Sequence, residues 1–125
     1  MRKVRDVFGP REILVGTEGL PEDERALAYL CTLIAADHVR LRIVHVLPAP
    51  MTAPVNAPMP DAEARASALL DRAREMVTAY GIPVETVVLR GRSVGEALVE
   101  EARRAGSGAL FVRFRNRPGP LGTSW

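Results

Sequence analysis

The sequence has 125 residues, is 47% hydrophobic and 26% charged, and carries a formal net charge of +2; this composition suits one globular domain and excludes a disordered chain. A single cysteine, Cys31, excludes a disulfide-stapled secreted domain. The basic start Met1 to Asp6 is followed by no apolar stretch, and no apolar run approaches membrane-spanning length, so a cytoplasmic chain without membrane insertion is expected.

The first predicted element is Glu12 to Gly16, a short apolar run that reads as a buried strand. Leu20-Pro21-Glu22-Asp23-Glu24 then opens a helix, with proline in the first turn and three acids at the positive end of the dipole. Its inner face is Ala26, Leu27, Leu30, Cys31 and Ile34, so Cys31 reads as a small buried hydrophobe rather than a nucleophile. Arg40 to Val46 is the second strand. Residues 47–60 hold five of the ten prolines and read as a mobile loop. Asp61 is expected to cap the next helix, whose apolar stripe is Ala66, Leu69, Leu70, Ala73, Met76, Val77 and Tyr80.

Val84 to Leu89 is the third strand. Ser93-Val94-Gly95-Glu96 has the capping-box pattern and starts a third helix, which Gly106 ends. Ala109 to Val112 is the fourth strand. The order β-α-β-α-β-α-β predicts an open parallel sheet covered on both faces. Residues 1–10 read as an N-terminal extension, 11–113 as the domain, and 114–125 as an irregular Arg/Gly/Pro tail. In such a sheet ligands sit beyond the carboxyl ends of the strands, where the strand order reverses. That singles out Gly16 to Gly19, His45-Val46, Arg90-Gly91-Arg92 and the stretch from Arg113 onward.

Ile13 to Gly19, Val44-His45-Val46, and Val84 to Leu98 with Gly91 and Glu96-Ala97 together resemble the universal stress protein family over roughly residues 11–113. The resemblance implies a Rossmann-like sheet, similar to adenine nucleotide α-hydrolases, ordered 3-2-1-4, with a fifth strand that this sequence lacks. It also implies an ATP site at the switch point between strands one and four. Carried across, the site residues are Thr17, Glu18 and Val46, with Arg113 and Asn116 standing where the family's phosphate loop has its first two glycines.

The family's usual aspartate is glutamate at Glu18. Arg113 sets a long side chain where bare backbone should approach phosphate. Two readings of Arg113, Arg115 and Arg117 stay open. In one, the guanidinium groups grip a phosphate or an acidic partner. In the other, which is preferred, they are a solvated continuation of the fourth strand.

His45 is read as packing or hydrogen-bonding rather than catalytic, and no metal cluster or Ser/His/Asp arrangement is visible. Gly16 to Leu20 is not the serine- and glycine-rich loop of related ATP-splitting enzymes, so no enzyme is expected. The reading is therefore a regulatory or interaction domain with no cofactor, or with ATP bound weakly. The alternative is an adenine-nucleotide binder with a remodelled phosphate loop. Losing the fifth strand leaves the fourth as an edge. That predicts a homodimer or a protein partner there, and no specific nucleic acid.

Overall fold

The computed structural model describes residues 11–113. Among the described residues four strands and three helices alternate: β1 (Glu12–Gly16), α1 (Pro21–Ile34), β2 (Arg40–Pro48), α2 (Pro60–Ala79), β3 (Val84–Gly91), α3 (Val94–Ala105) and β4 (Ala109–Val112). All pairings are parallel and the order is β3-β2-β1-β4. The predicted fold class and strand order are the observed ones.

Burial explains the order. β1 is apolar on both faces, with Ile13, Leu14 and Val15 all buried, and β2 buries Ile43, Val44, Val46 and Leu47. Strands of that kind belong in the middle of a sheet covered on both sides. β3 and β4 have no fully buried position and take the edges.

On one face Ile13, Val15, Leu41 and Ile43 pack against Leu27, Leu30, Cys31 and Ile34 of α1 and Leu70, Ala73 and Val77 of α2. On the other, Leu14, Val44 and Val46 pack against Leu98 of α3. Cys31 is wholly buried, as read from its neighbours, and burial pushes its thiol pKa up, which suppresses the reactive thiolate.

Two local expectations are corrected. Asp61 does not cap α2. Pro60 takes the first helical turn, and the Met59 amide donates to Glu63 Oε2 at 3.0 Å instead. The proline-rich loop is shorter than 47–60, because β2 runs through Pro48 and α2 begins at Pro60. It is also tied down. Arg90 Nη1 donates to the Ala57 carbonyl, and Arg92 donates to the carbonyls of Pro50 and Ala53. Proline removes N–H donors but keeps carbonyls, so such a loop offers surplus acceptors to nearby cations.

At the opposite end of the sheet from the loops just described, Arg42 is the hub of a charged cluster. Its Nε lies 3.0 Å from Glu12 Oε1, Nη2 2.6 Å from Glu85 and Nη1 3.4 Å from Glu101. Ser107 Oγ donates to Glu12 at 2.7 Å and Arg104 holds Glu101 at 2.6 Å. Glu12 and Glu101 are both buried, so the cluster is a polar lock joining β1, β2, β3 and α3. Among the described residues no helix is long and apolar enough to cross a membrane.

Candidate functional site

The strand order reverses between β1 and β4, so the crevice that a parallel sheet opens at its carboxyl end lies above Gly16 and Val112. A cavity of about 80 Å3 is found there. Its walls are apolar: Val44 and Val46 from β2, Leu98 from α3, Val112 from β4. Gly16 makes the floor possible, because a Cβ at this position would come within 2.8 Å of Leu98 Cδ1. The rim carries Thr17, Glu18, Asp23 and Arg113.

The β1–α1 turn is ordered by its own hydrogen bonds. The Thr17 amide donates to the Val44 carbonyl at 3.0 Å, and Thr17 Oγ1 accepts from the Gly19 amide at 3.0 Å. Gly19 has φ +78°, the left-handed region in which glycine carries no steric penalty. His45 Nδ1 lies 2.8 Å from the Thr17 carbonyl, which can only accept, so His45 donates there. That contact gives His45 the packing and hydrogen-bonding role read from the sequence.

Asp23 dominates the rim. Its Oδ2 accepts from the amides of Glu18 and Leu20, each at 3.1 Å, and its Oδ1 accepts from Arg113 Nε at 2.7 Å. The Asp23 side chain is 7% exposed and that of Arg113 is 23% exposed, so this ion pair is largely shielded from water. Burial pushes the Asp23 pKa up, but the hydrogen bond from Arg113 and those from the Leu20 and Glu18 amides outweigh it, and the balance lies below the ordinary value. Arg113 is correspondingly raised, chiefly by the same hydrogen bond.

Thr17, Glu18, Val46 and Arg113, chosen from the sequence, all border this one crevice. Asn116, with Arg115 and Arg117, lies outside the described residues. Arg113 is not a solvated strand continuation, since its Nε donates to Asp23 Oδ1 in a pair with little exposure to water. Arg90 and Arg92, also flagged beside the strand ends, are turned to the proline-rich loop. Asp23 is the residue that sequence reasoning passed over, having counted it only among the acids of the first helical turn. The available signal was its place three residues after Leu20, from which a carboxylate reaches back to the amide preceding the helix.

An open parallel sheet of order β3-β2-β1-β4, helices on both faces and a crevice at the switch point define a doubly wound α/β domain of the kind that binds ligands between strands one and four. The chain matches the model of the universal stress protein family over residues 10–123, and it belongs to that family.

Solved structures agree on the fold. A universal stress protein from Archaeoglobus fulgidus superposes with a TM-score of 0.70 at 19% identity, covering 90% of this chain and 82% of that one. A protein from Mycobacterium tuberculosis H37Rv gives a TM-score of 0.67 at 21% identity, covering 90% of this chain and 78% of the other. The Archaeoglobus fulgidus universal stress protein in complex with dAMP gives 0.68 at 20% identity, covering 81% and 78%. No curated protein matches the chain by sequence.

Proposed function

We propose that this chain is a regulatory or interaction domain of the universal stress protein family that binds ATP weakly or not at all and works in the cytosol through a homodimer or a protein partner at the β4 edge. The observation that carries the reading is the small size of the crevice. About 80 Å3 is far below the roughly 300–1,000 Å3 of ordinary small-molecule sites. Among the described residues the cation on its rim is Arg113, whose Nε donates to Asp23 at 2.7 Å. Leu110 and Val112 of β4, which are 41% and 47% exposed, support the partner half of the reading.

We also propose that the domain is not an enzyme. The His45 Nδ1 nitrogen is committed to the Thr17 carbonyl, and the Cys31 thiol is buried with a raised pKa. The alternative is an adenine-nucleotide binder. It is favoured by the gathering of Thr17, Glu18, Val46 and Arg113 around one crevice and by a structural neighbour that holds dAMP.

Thermal melting with and without magnesium and ATP separates the two. A ligand about a hundredfold above its dissociation constant stabilises by about 2.7 kcal/mol, which is a rise of several degrees for a domain of this size. No rise at millimolar ATP is the expected result. A clear rise that is lost in Glu18→Ala overturns the weak-binding reading in favour of the nucleotide site.

A further inference from the structure

We propose that the groove between α1 and α2 is a docking site for the segment that follows Arg113 in this same chain, residues 114–125. The proposal stands apart from whether the crevice takes a nucleotide.

The groove lies on the other side of the β1–α1 turn from the crevice and is the larger of the two, about 410 Å3. Helical spacing makes it. Asp23 and Leu27 stand one above the other on α1, and Leu69, Arg72 and Met76 line it from α2 at intervals of three and four residues. Its floor is apolar, with Leu27 buried and Leu69 and Met76 half-buried. Its rim is charged. Glu24 accepts from Arg72 Nη2 at 3.0 Å, and both side chains remain well exposed. Glu75 is exposed and, among the described residues, has no ion-pair partner.

Two observations identify the occupant. The first is position. Phe111 packs on the α1 side of the sheet, and Arg113 Nε donates to Asp23 Oδ1 at 2.7 Å. Asp23 and Thr17 line both the groove and the crevice, so from Phe114 onward the chain has only the β1–α1 turn to cross. The groove rises about 10 Å along α2 from Leu69 to Met76, a distance that about three extended residues span. Residues 114–125 are ample for both.

The second observation is chemical. Residues 114–125 carry Arg115 and Arg117, no acid, and the apolar side chains of Phe114, Leu121 and Trp125. Guanidinium forks suit carboxylates such as Glu24 and Glu75. Aromatic rings suit a floor that includes the Met76 thioether. Segment and groove belong to one molecule, so docking avoids the loss of translational freedom that a separate partner suffers. Seated there, the segment lies across the sheet from α3 and takes no part in covering Val112, which faces Leu98.

Disulfide trapping in the full chain tests the proposal. One cysteine replaces Asn116, between the two arginines. A second replaces either Met76 in the groove or Val94 at the crevice. The native Cys31 is wholly buried and stays out of the exchange. A bridge needs Cα atoms about 4.4–6.8 Å apart, so under a mild oxidant Met76→Cys with Asn116→Cys should close within one molecule at least about tenfold faster than Val94→Cys with Asn116→Cys. Adding Glu75→Lys should slow the closure severalfold, and so should salt at about 1 M, which screens exposed charges.

Equal rates at the two positions, or faster closure at Val94, overturn the proposal. So does a rate that Glu75→Lys leaves unchanged, or a bridge that forms between molecules instead of within one. Should Met76→Cys fail to fold, Arg72→Cys takes its place with the same expected rates. The Arg72 side chain is 65% exposed, so the core does not depend on it.

Discussion

Replacing Arg113 by methionine removes the guanidinium and keeps the length and much of the apolar stem, so the Asp23 carboxylate loses its charged partner without a large cavity being opened. Breaking a buried ion pair by deleting one member costs about 3–5 kcal/mol. Two features of this site lower that figure. Arg113 is 23% exposed, so water screens part of the attraction. Asp23 also retains the Glu18 and Leu20 amides at 3.1 Å. A loss of about 2 kcal/mol is expected. For a chain of this size that is a fall in melting temperature of about 8 °C.

The pH dependence gives a second, independent reading. The folded Asp23 pKa lies below its ordinary value of 3.8. The stability it contributes is therefore present above pH 3.8 and lost as pH falls through the lower, folded value. The gap between wild type and Arg113→Met should be full at pH 7 and close as the solution is acidified below pH 3.8. Calorimetric melts across that range make the measurement. A fall of under about 2 °C at pH 7 would refute the reasoning, since it would place the pair among exposed bridges worth about 0–1 kcal/mol. A gap that stays constant with pH would refute the assignment of the effect to Asp23.

Arg42→Met tests the charged lock at the other end of the sheet. Removing the hub leaves Glu12 to Ser107 and Arg40 and Glu101 to Arg104, and a loss of about 3 kcal/mol is expected. Burial raises the Glu12 pKa, but hydrogen bonds from Ser107 and Arg42, with the charges of Arg42 and Arg40, bring it below its ordinary 4.5. The penalty should thus be largest near neutrality and shrink below pH 4.5; an unchanged urea midpoint at pH 7 would contradict it. Gly19→Ala should cost about 1–2 kcal/mol, because the residue holds φ +78°. The new Cβ would also sit 2.9 Å from Leu69 Cδ2, a contact the flexible end of that side chain can relieve. A melting temperature equal to that of the wild type would show that the turn does not need the left-handed conformation.

The fold was legible because hydrophobic pattern and position agree. Ile13, Leu14 and Val15 left β1 with no polar face, which only a central strand tolerates. Pro48 and Pro60 show where pattern reading stopped short. Pro48 reads as a strand breaker, yet it pairs in register with Gly91 four residues beyond the last β1–β2 pairing, at Val44. A missing N–H is harmless on the side that no strand faces.

The site was legible as a set of positions and illegible as a set of contacts. Thr17, Glu18, Val46 and Arg113 follow from where the strands end. The bond from Arg113 to Asp23 joins residues 90 apart, and no local pattern announces it. It becomes readable only once β4 is known to lie beside β1, because that adjacency brings the end of β4 to the β1–α1 turn. The partners of Arg90 and Arg92 were hidden for a related reason: they are the Glu63 carboxylate and the carbonyls of Pro50, Ala53 and Ala57, which lie 27 or more residues away and which no local pattern announces.

The β4 edge invites one quantitative argument about partners. Alternation sends Phe111 toward α1, where it packs on the core, and Arg113 toward Asp23, while Leu110 and Val112 point to the α3 side. The helix α3 packs chiefly over β2 and β3 and leaves these two partly exposed among the described residues. Fully burying a leucine or valine is worth about 1.5–3 kcal/mol each. Since each is already about half covered, docking them gains about 2 kcal/mol. Pairing four residues of strand adds net hydrogen bonds of about 1 kcal/mol apiece. Against this stands an association cost of about 4–15 kcal/mol. Self-pairing through Ala109 to Val112 alone is therefore weak, with a dissociation constant no tighter than about 1 mM, or −4 kcal/mol. A protein partner that brings its own apolar surface is the occupant these numbers favour. Sedimentation of the wild type and of Leu110→Lys provides the check. A wild type that is monomeric at micromolar concentration agrees with the estimate. A nanomolar dimer that Leu110→Lys dissolves would show that residues 109–112 carry far more binding energy than their area allows.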